Sequence, residues 1–276
     1  MQVPNFDGFQ FRCSSLGKIM TGIKWGLSEA QKVRFDELDR RYRGLGKPLT
    51  PNMMEEHADL LSKKVARPKL SATTQTYLQE IFLEAVFGRV KEVQVREMVK
   101  GNLHEERSIS LYSDVMNVPY FKNKESRSND YIKGTCDNVT DIIRDVKTSW
   151  DIYTFPFYDE TLPSSDYWWQ VHGYMWLWDK KAAEVIYCLV DTPEMQITDE
   201  KFKYARQHPD VDISPEIEEQ IEKNLLFEHD IPANVRVRVF GVEYDEQAIE
   251  ALKVQIDKCR EYLNQLAEDL RNRLAV

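Results

Sequence analysis

The stretch IIRDVKT, residues 142–148, has the apolar and β-branched content of a buried strand, yet it carries an acid and a lysine two positions apart. Side chains alternate across a strand, so Asp145 and Lys147 are predicted to share one face. Arg144 and Val146 then point to the other face. A strand that places opposite charges side by side in this way indicates either an exposed face or a chemical role.

A second run of strand-like residues, 131–137, precedes this stretch, and the residues between them, 138–141, have the composition of a turn. The two runs predict a hairpin. If the turn is tight, Asp137 on the first strand lies close to Asp145 on the second.

The rest of the chain alternates helical and extended patterns, without an internal repeat or an obvious linker. Helices are predicted at about 14–20, 27–43, from Pro51 onward, at 72–87 after a Ser71 cap, at 93–116, 165–179, 215–227 and 245–274, with further strands at 183–190 and 235–240. This pattern predicts an α+β fold with a small central mixed β-sheet flanked by helices and a helical N-terminal region. We expect one domain with an N-terminal helical part (about 1–90), a core (about 91–190) and an acidic C-terminal helical part (about 191–276), for which the sequence suggests no role.

The composition is that of a globular protein, with 42% hydrophobic and 30% charged residues in 276. The sequence contains neither a long apolar run nor a secretory signal pattern, so we expect a cytoplasmic protein without a membrane partner. The four cysteines are far apart and form no CxxC pair, which argues against an iron–sulfur cluster or a zinc site and favours buried thiols.

The net charge of −9 hides a strong polarity along the chain. Residues 1–100 carry 17 Lys and Arg against 12 Asp and Glu, whereas residues 191–276 carry 11 against 20. The total alone argues against a nucleic-acid partner, but the basic first part keeps that interpretation open. Solvated helix faces of either sign would give the same pattern.

The predicted hairpin brings two carboxylates and an ammonium group together. Asp137, Asp145 and the backbone carbonyl of Val146 are hard oxygen ligands of the kind that suits Mg²⁺, with Mn²⁺ as a substitute. Lys147 beside them is placed to hold a nucleophilic water or to stabilise developing charge. The alternative is a surface hairpin with an ordinary Asp–Lys pair, which a motif this short matches often by chance.

Two helices add candidates to this group. Glu105 follows Gly101 by one turn on the helix before the hairpin and could complete a metal site, although it could equally be a solvated acid. Downstream, Gln170 and Tyr174 lie one turn apart in QVHGYMW. The many aromatic residues of that helix are more often core than ligand contacts.

Taken in order, Gly101-x3-Glu105, Asp137, Asp145-x-Lys147 and Gln170-x3-Tyr174 resemble the PD-(D/E)XK nuclease superfamily, and within it the phage exonucleases of the lambda exonuclease and YqaJ viral recombinase type. The resemblance implies a restriction-endonuclease-like core in which these side chains line a cleft. Glu105, Asp137, Asp145 and Val146 would hold the metal, Lys147 would activate the water, and Gln170 would orient the lysine or the substrate, with Tyr174 in support. The family usually has glutamate where this chain has Asp145.

The segment RCSSLGKIM, residues 12–20, is similar to the N-terminal segment with which this family contacts a DNA 5′ phosphate. The resemblance assigns that role to Arg12 and to Ser14 or Ser15, and Thr135 could add a hydroxyl. Some related nucleases have a metal-binding histidine where this chain has His104, but a helix-surface histidine is the more common case.

The resemblance also implies a function: a Mg²⁺-dependent DNA exonuclease acting on duplex ends, encoded by a phage or prophage and working in the bacterial cytoplasm. Many such proteins form rings, often trimers, and act with a single-strand annealing protein. No nucleotide cofactor is expected, because the sequence has no phosphate-binding loop of the GxxxxGK[ST] form. Two alternatives stay open: a structure-specific endonuclease on the same fold, and a DNA-end-binding recombination protein whose nuclease site is degenerate.

Overall fold

The computed structural model describes residues 3–22, 27, 29–65, 69–91, 96–210 and 212–275. Their helices are α1 (Leu16–Met20), α2 (Glu29–Tyr42), α3 (Pro51–Val65), α4 (Ala72–Phe87), α5 (Arg96–Met116), α6 (Ser165–Trp178), α7 (Glu194–Gln207), α8 (Pro215–Lys223) and α9 (Glu246–Leu274). Their strands are β1 (Phe11–Arg12), β2 (Arg127–Ser128), β3 (Ile132–Gly134), β4 (Asn138–Val139), β5 (Ile143–Thr148), β6 (Ala182–Cys188) and β7 (Val237–Glu243). The predicted α+β class is confirmed.

The strands form two small mixed sheets rather than the single central sheet that was predicted. One has the order β1-β3-β2, with β1 parallel and β2 antiparallel to β3. The other has the order β4-β5-β6-β7, in which β5 and β6 are parallel and the outer pairs are antiparallel. Helices flank both sheets, so the layered arrangement around β5 agrees with the expectation.

The strand predicted at 131–137 is confirmed only for β3, because residues 135–137 belong to neither sheet and β4 begins at Asn138, inside the predicted turn 138–141. β3 ends at Gly134, and the chain then crosses to β4, which pairs with the start of β5. Gly134 allows this crossing, since a Cβ there would lie 2.8 Å from the Tyr174 ring and 2.9 Å from Cys13 Sγ. The connection between β4 and β5 is still tight. Asn138 faces Arg144, and the register places Asp137 next to Asp145.

The alternation predicted for β5 is confirmed. Val146 packs on the α5 side in a buried cluster with Ile109 and Tyr112. Arg144 shares that side, where its Nε donates to Glu184 Oε2 at 3.0 Å. Asp145 and Lys147 face α6 on the opposite side of the sheet.

Three of the described helices begin after a residue whose side chain caps the first turn. Ser71 Oγ accepts a hydrogen bond from Thr74 N at 3.1 Å and begins α4. Asp245 accepts from two backbone amides and begins α9. For α6 the cap is Ser164, one residue earlier than predicted.

The C-terminal third differs more from the prediction. The pattern missed α7 altogether, and α8 ends at Lys223 rather than near 227. The strand predicted at 235–240 is displaced to β7, because a 3-10 turn occupies Ala233–Val235. The predicted start of α5 near 93 lies outside the described residues.

The four cysteines are buried thiols, as predicted. Within the described ranges, no helix has the length and apolarity needed to cross a membrane.

Two glycines set the spacing between α6, which carries Gln170 and Tyr174, and α1, which directly follows the segment of Arg12 and Ser14. A Cβ on Gly173 would lie 2.6 Å from Leu16 Cδ1 and 3.0 Å from Cys13 Sγ. A Cβ on Gly17 would meet the Asp166 backbone at 2.6 Å. Both values are below normal contact distance, so the two helices pack this closely only through glycine.

We expect Gly173→Ala to lower the free energy of unfolding by about 1–3 kcal/mol, because the buried interface must shift. The matched control is Gly101→Ala in α5, where no atom lies within 4 Å of the added Cβ. That change should raise stability by roughly 0.5–1 kcal/mol through helix propensity. Urea unfolding of both variants measures the difference, and equal effects would contradict the packing argument.

Candidate active site

Asp145 is the most deeply buried charged group of the α6-facing side of β5, with 1% of its surface exposed. Its Oδ2 lies 2.7 Å from Lys147 Nζ, and its Oδ1 accepts a hydrogen bond from Gln170 Nε2 at 3.2 Å. Among the described residues, the Lys147 ammonium group is the one partner of Oδ2, so this oxygen keeps a second lone pair. A buried carboxylate oxygen with an unused lone pair is suited to binding a cation.

Gln170 and two tyrosines hold the pair in place from α6. Lys147 Nζ donates to Gln170 Oε1 at 3.2 Å and lies 4.4 Å from the centre of the Tyr167 ring. Gln170 Nε2 also donates to the Tyr174 hydroxyl at 3.0 Å. The helical spacing predicted for Gln170 and Tyr174 therefore brings both over the strand, although Tyr174 is also part of the core.

Asp137 lies where β4 no longer covers the edge of β5. Its Oδ2 accepts a hydrogen bond from Val146 N at 2.7 Å, so the side chain replaces the missing strand. The N–H and C=O of one residue in an extended strand point to the same side. The Val146 carbonyl therefore faces the edge at which the Asp137 carboxylate lies.

The two carboxylates affect each other electrostatically. Burial and the Asp145 charge raise the pKa of Asp137 well above its ordinary value, while Lys147 and the Val146 amide act in the opposite direction. Burial lowers the pKa of Lys147, but Asp145 and Asp137 more than offset that effect, and the net change is upward. One ammonium group thus faces two acids, an arrangement that a divalent cation would balance.

The described residues contain no group of three or more His, Cys, Asp and Glu side chains close enough to hold a metal. They do offer two carboxylates and a backbone carbonyl at one sheet edge. Mg²⁺ usually binds through one or two carboxylates and completes its shell with water and substrate phosphate. The chemistry of this donor set therefore fits Mg²⁺, with Asp145 Oδ2 shared between Lys147 and the metal.

Glu105 and His104, on α5, are not in direct contact with this group. Glu105 pairs with Lys122 Nζ at 2.5 Å, and its charge is one of those that raise the pKa of Asp137. The His104 Nε2 atom is buried without a hydrogen-bond partner among the described residues, and burial lowers its pKa. Lys122, which the sequence analysis overlooked, is the cation that links Glu105 to the neighbourhood of Asp137.

A cavity of about 280 Å³ lies beside the acidic group and shares Tyr174 with it. Its polar lining comes from Arg12, Ser14, Ser126, Lys133 and Thr135. Three of these are residues that the sequence analysis selected for phosphate binding. Ser15 does not line the cavity.

Ser126 and Lys133 were missed in the sequence. Lys133 could have been found, since the two-residue periodicity of a strand predicts that it shares a face with Thr135. Ser126 carries no comparable signal, because it enters the site through the separate short strand region that pairs with β3.

Comparisons with solved structures agree with the expected fold. A phage-related exonuclease from Haemophilus somnus 129PT is 24% identical, with a TM-score of 0.64 over 95% of this chain and 97% of that one. The alkaline exonuclease LHK-Exo from Laribacter hongkongensis is 10% identical, with a TM-score of 0.50 over 98% and 95% of the two chains. A structure of LHK-Exo in complex with dAMP is 11% identical with a TM-score of 0.53.

No protein-family model and no curated protein matches the chain. The shared architecture spans nearly the whole length of each compared chain, so the chain has the fold of these exonucleases. The fold implied by the sequence resemblance is thereby confirmed.

The raised pKa of Asp137 gives a prediction for the metal-free protein. A carboxyl group with a raised folded-state pKa costs stability as the pH rises through that pKa, because ionisation is harder in the folded state. Asp137→Asn removes the charge and keeps an acceptor for Val146 N. We expect the variant to gain stability relative to wild type between pH 4 and pH 8, as urea unfolding at each pH will show.

The control is Asp141→Asn, because Asp141 lies on the adjacent turn with 81% of its side chain exposed. Mg²⁺ should stabilise the wild type and the control but not Asp137→Asn, since a ligand that binds only the folded state shifts unfolding by mass action. A pH-independent difference between Asp137→Asn and wild type would contradict the electrostatic account.

Proposed function

We propose that the protein is a metal-dependent nuclease that hydrolyses DNA phosphodiester bonds, and that it acts as an exonuclease on duplex ends. One observation carries the proposal. Buried Asp145 pairs with Lys147 beside Asp137, and Tyr174, which bonds to Gln170 above this pair, also lines a cavity that contains cations and hydroxyls. The exonuclease fold of the compared structures supports the same conclusion.

In this proposal Asp137, Asp145 and the Val146 carbonyl hold Mg²⁺, with Mn²⁺ as a substitute. When bound there, a metal would lower the pKa of a water molecule and would offset charge on the phosphate under attack. Lys147 holds the attacking water and stabilises charge that develops on the phosphate. Gln170 fixes Lys147 and Asp145 in one geometry, and Tyr174 fixes Gln170.

Glu105 contributes through its position near Asp137 rather than through a direct contact with it. Lys122 holds the Glu105 carboxylate in the neighbourhood of Asp137. From that position the carboxylate would orient a water of the metal shell or bind a second ion. Release of Lys122 toward the DNA backbone would free Glu105 for that role.

The cavity around Arg12, Ser14 and Thr135 is proposed to bind the terminal 5′ phosphate of the DNA. Arg12 is exposed and provides the charge, while hydroxyl groups provide hydrogen bonds. Tyr174 contributes to both this cavity and the catalytic group, so a bound end would lie next to the scissile bond. A site that recognises an end favours an exonuclease over an endonuclease.

The sequence resemblance carries three further proposals. The protein forms a ring, a trimer in many similar proteins, that surrounds duplex DNA. It acts with a single-strand annealing protein in recombination. It is encoded by a phage or prophage and works in the bacterial cytoplasm.

A specific feature favours the second candidate function, a DNA-end-binding protein with a degenerate nuclease site. Asp145 stands where similar nucleases carry glutamate, and its side chain is one methylene shorter. Lys147 is also paired with Asp145 Oδ2, the oxygen that would otherwise face a metal. Such a protein would bind ends without cutting them.

The test compares linear duplex DNA with a covalently closed circle in the presence of Mg²⁺. We expect the wild type to degrade the linear DNA and leave the circle intact. Lys147→Ala should lower the cleavage rate by about 100- to 1000-fold, as expected for the loss of a group that stabilises developing charge. Lys223→Ala, an exposed lysine on α8, is the control and should cut at the wild-type rate.

The same assay separates the alternatives. Cutting of the closed circle would identify an endonuclease, and binding of ends without cleavage in Mg²⁺ or Mn²⁺ would identify the degenerate protein. Wild type should prefer 5′-phosphorylated ends, and Arg12→Gln should lose that preference. Ser15→Ala should keep the preference, because Ser15 lies outside the cavity lining.

A further inference from the structure

Helices α2 and α3 form a hairpin with a hydrophobic cluster of its own, separate from the main core. Its members come from the two helices and the residues beside them: Leu27, Phe35, Leu38, Leu49, Met53 and Leu60. α2 has 14 residues, so its length places the tip of the hairpin about 20 Å from its base. The hairpin is thus a small, self-packed projection.

Polar contacts join the two helices of this hairpin. Arg34 forms a two-point ion pair with Glu56 across the helices, with N···O distances of 3.0 and 2.7 Å. The buried ring of His57 stacks on Phe35, and its Nε2 lies 3.1 Å from Asp39 Oδ1. These contacts lie within the two helices that carry the loop at the tip.

The loop at the tip has a defined shape. The Arg41 guanidinium donates to the carbonyls of Lys47 and Pro48 at 2.9 and 3.1 Å. Gly44 and Gly46 have φ of 84° and 133°, which residues with a Cβ rarely adopt. The Arg41 guanidinium is therefore bonded within the loop. The shape of the loop backbone sets the positions of the other cations.

The tip sequence RRYRGLGK, residues 40–47, contains four cations and no acid in a chain with a net charge of −9. Arg40, Arg43 and Lys47 are exposed. Arg43 pairs with Asp39 at 2.7 Å, and in the described part of the chain neither Arg40 nor Lys47 has an acidic partner. Arg41 lies 3.7 Å from Glu37, so Arg40 and Lys47 are the two tip cations without a carboxylate partner among the described residues. Such cations raise the local potential and would attract a polyanion.

We propose that this tip binds the phosphate backbone of duplex DNA as a contact separate from the catalytic cleft. The proposal rests on the proposed function only in taking DNA as the substrate. The contact carries no sequence information and is weakened by salt, as is usual for Lys and Arg on phosphates. It would hold the duplex while nucleotides are removed from its end, so its main effect is on processivity.

Shape and charge favour a duplex over the two other partners that a basic tip can take. A membrane contact needs a broad apolar face, whereas the apolar exposure here is limited to Tyr42 and Leu45, at 65% and 62%. Tyr42 also stacks on His57, at 4.7 Å between ring centres, which covers one of its faces. A second copy of this chain would bind the tip through its acidic helices. Light scattering distinguishes that outcome from DNA binding.

The test uses the full chain, with a fluorescent duplex of about 30 base pairs and EDTA present, so that binding is measured without cleavage. The tip variant is Arg40→Gln/Arg43→Gln/Lys47→Gln. Anisotropy titrations should show at least about tenfold weaker binding near 100 mM salt, and a slope of log Kd against log salt reduced by about 2–3, since each phosphate contact contributes about 0.9. Lys180→Gln/Lys223→Gln/Arg273→Gln changes the net charge equally and should bind within about twofold of wild type.

A conservative variant, Arg40→Lys/Arg43→Lys, keeps the charge and should retain wild-type binding. Circular dichroism checks that each variant is folded. With Mg²⁺, the tip variant should release long duplexes after fewer cuts, while its rate on a duplex of about 12 base pairs, too short to need a second contact, stays within twofold.

Binding by the tip variant that equals that of the charge-matched control would overturn the proposal. The proposal would also be overturned if the tip substitutions changed only the binding to anionic vesicles, or only the mass measured by light scattering. If the tip variant loses duplex binding while the wild type cuts no DNA, the inference stands and the proposed nuclease function fails.

Discussion

The ion pair Asp145–Lys147, on the inner strand β5, is the interaction around which the candidate site is arranged. Removing two charges from water costs more than their attraction returns in many proteins, and apolar residues of similar size would stabilise the same strand at least as well. Here the pair is retained and supported: Gln170 bonds to both members, and Tyr167 lies against the ammonium group. A group that is costly for folding but held this firmly is best explained by chemistry.

The division of the strands into two sheets places further groups beside this ion pair. The chain leaves β3 at Gly134 and joins β4 only for two residues, which exposes the edge of β5 at Val146 and lets Asp137 bind there. Close packing of α1 against α6 then brings the cavity around Arg12 next to the acidic group. The cations of the proposed DNA contacts lie on other elements than the acidic group, so the proposal is compatible with the net charge of −9.

Much of the site could be predicted from the sequence because it depends on local rules. Strand alternation places Asp145 and Lys147 together, and helical spacing places Gln170 and Tyr174 together. The strand assignment for 131–137 failed beyond β3 because Gly134 permits a crossing between sheets that only tertiary packing reveals. Lys122 and Ser126 were missed for a related reason: each reaches the site from a segment with no regular pattern. α7 was missed because its first turn has no side-chain cap.

The most direct test of this account replaces the buried pair with apolar residues and measures stability and cleavage on one preparation. Asp145→Leu/Lys147→Met should leave the free energy of unfolding unchanged or raise it by about 1–4 kcal/mol, because the desolvation cost disappears. The same protein should cut no DNA in Mg²⁺ or Mn²⁺. A double variant that unfolds more easily and still degrades linear duplex DNA would contradict the account, since the pair would then serve the fold alone.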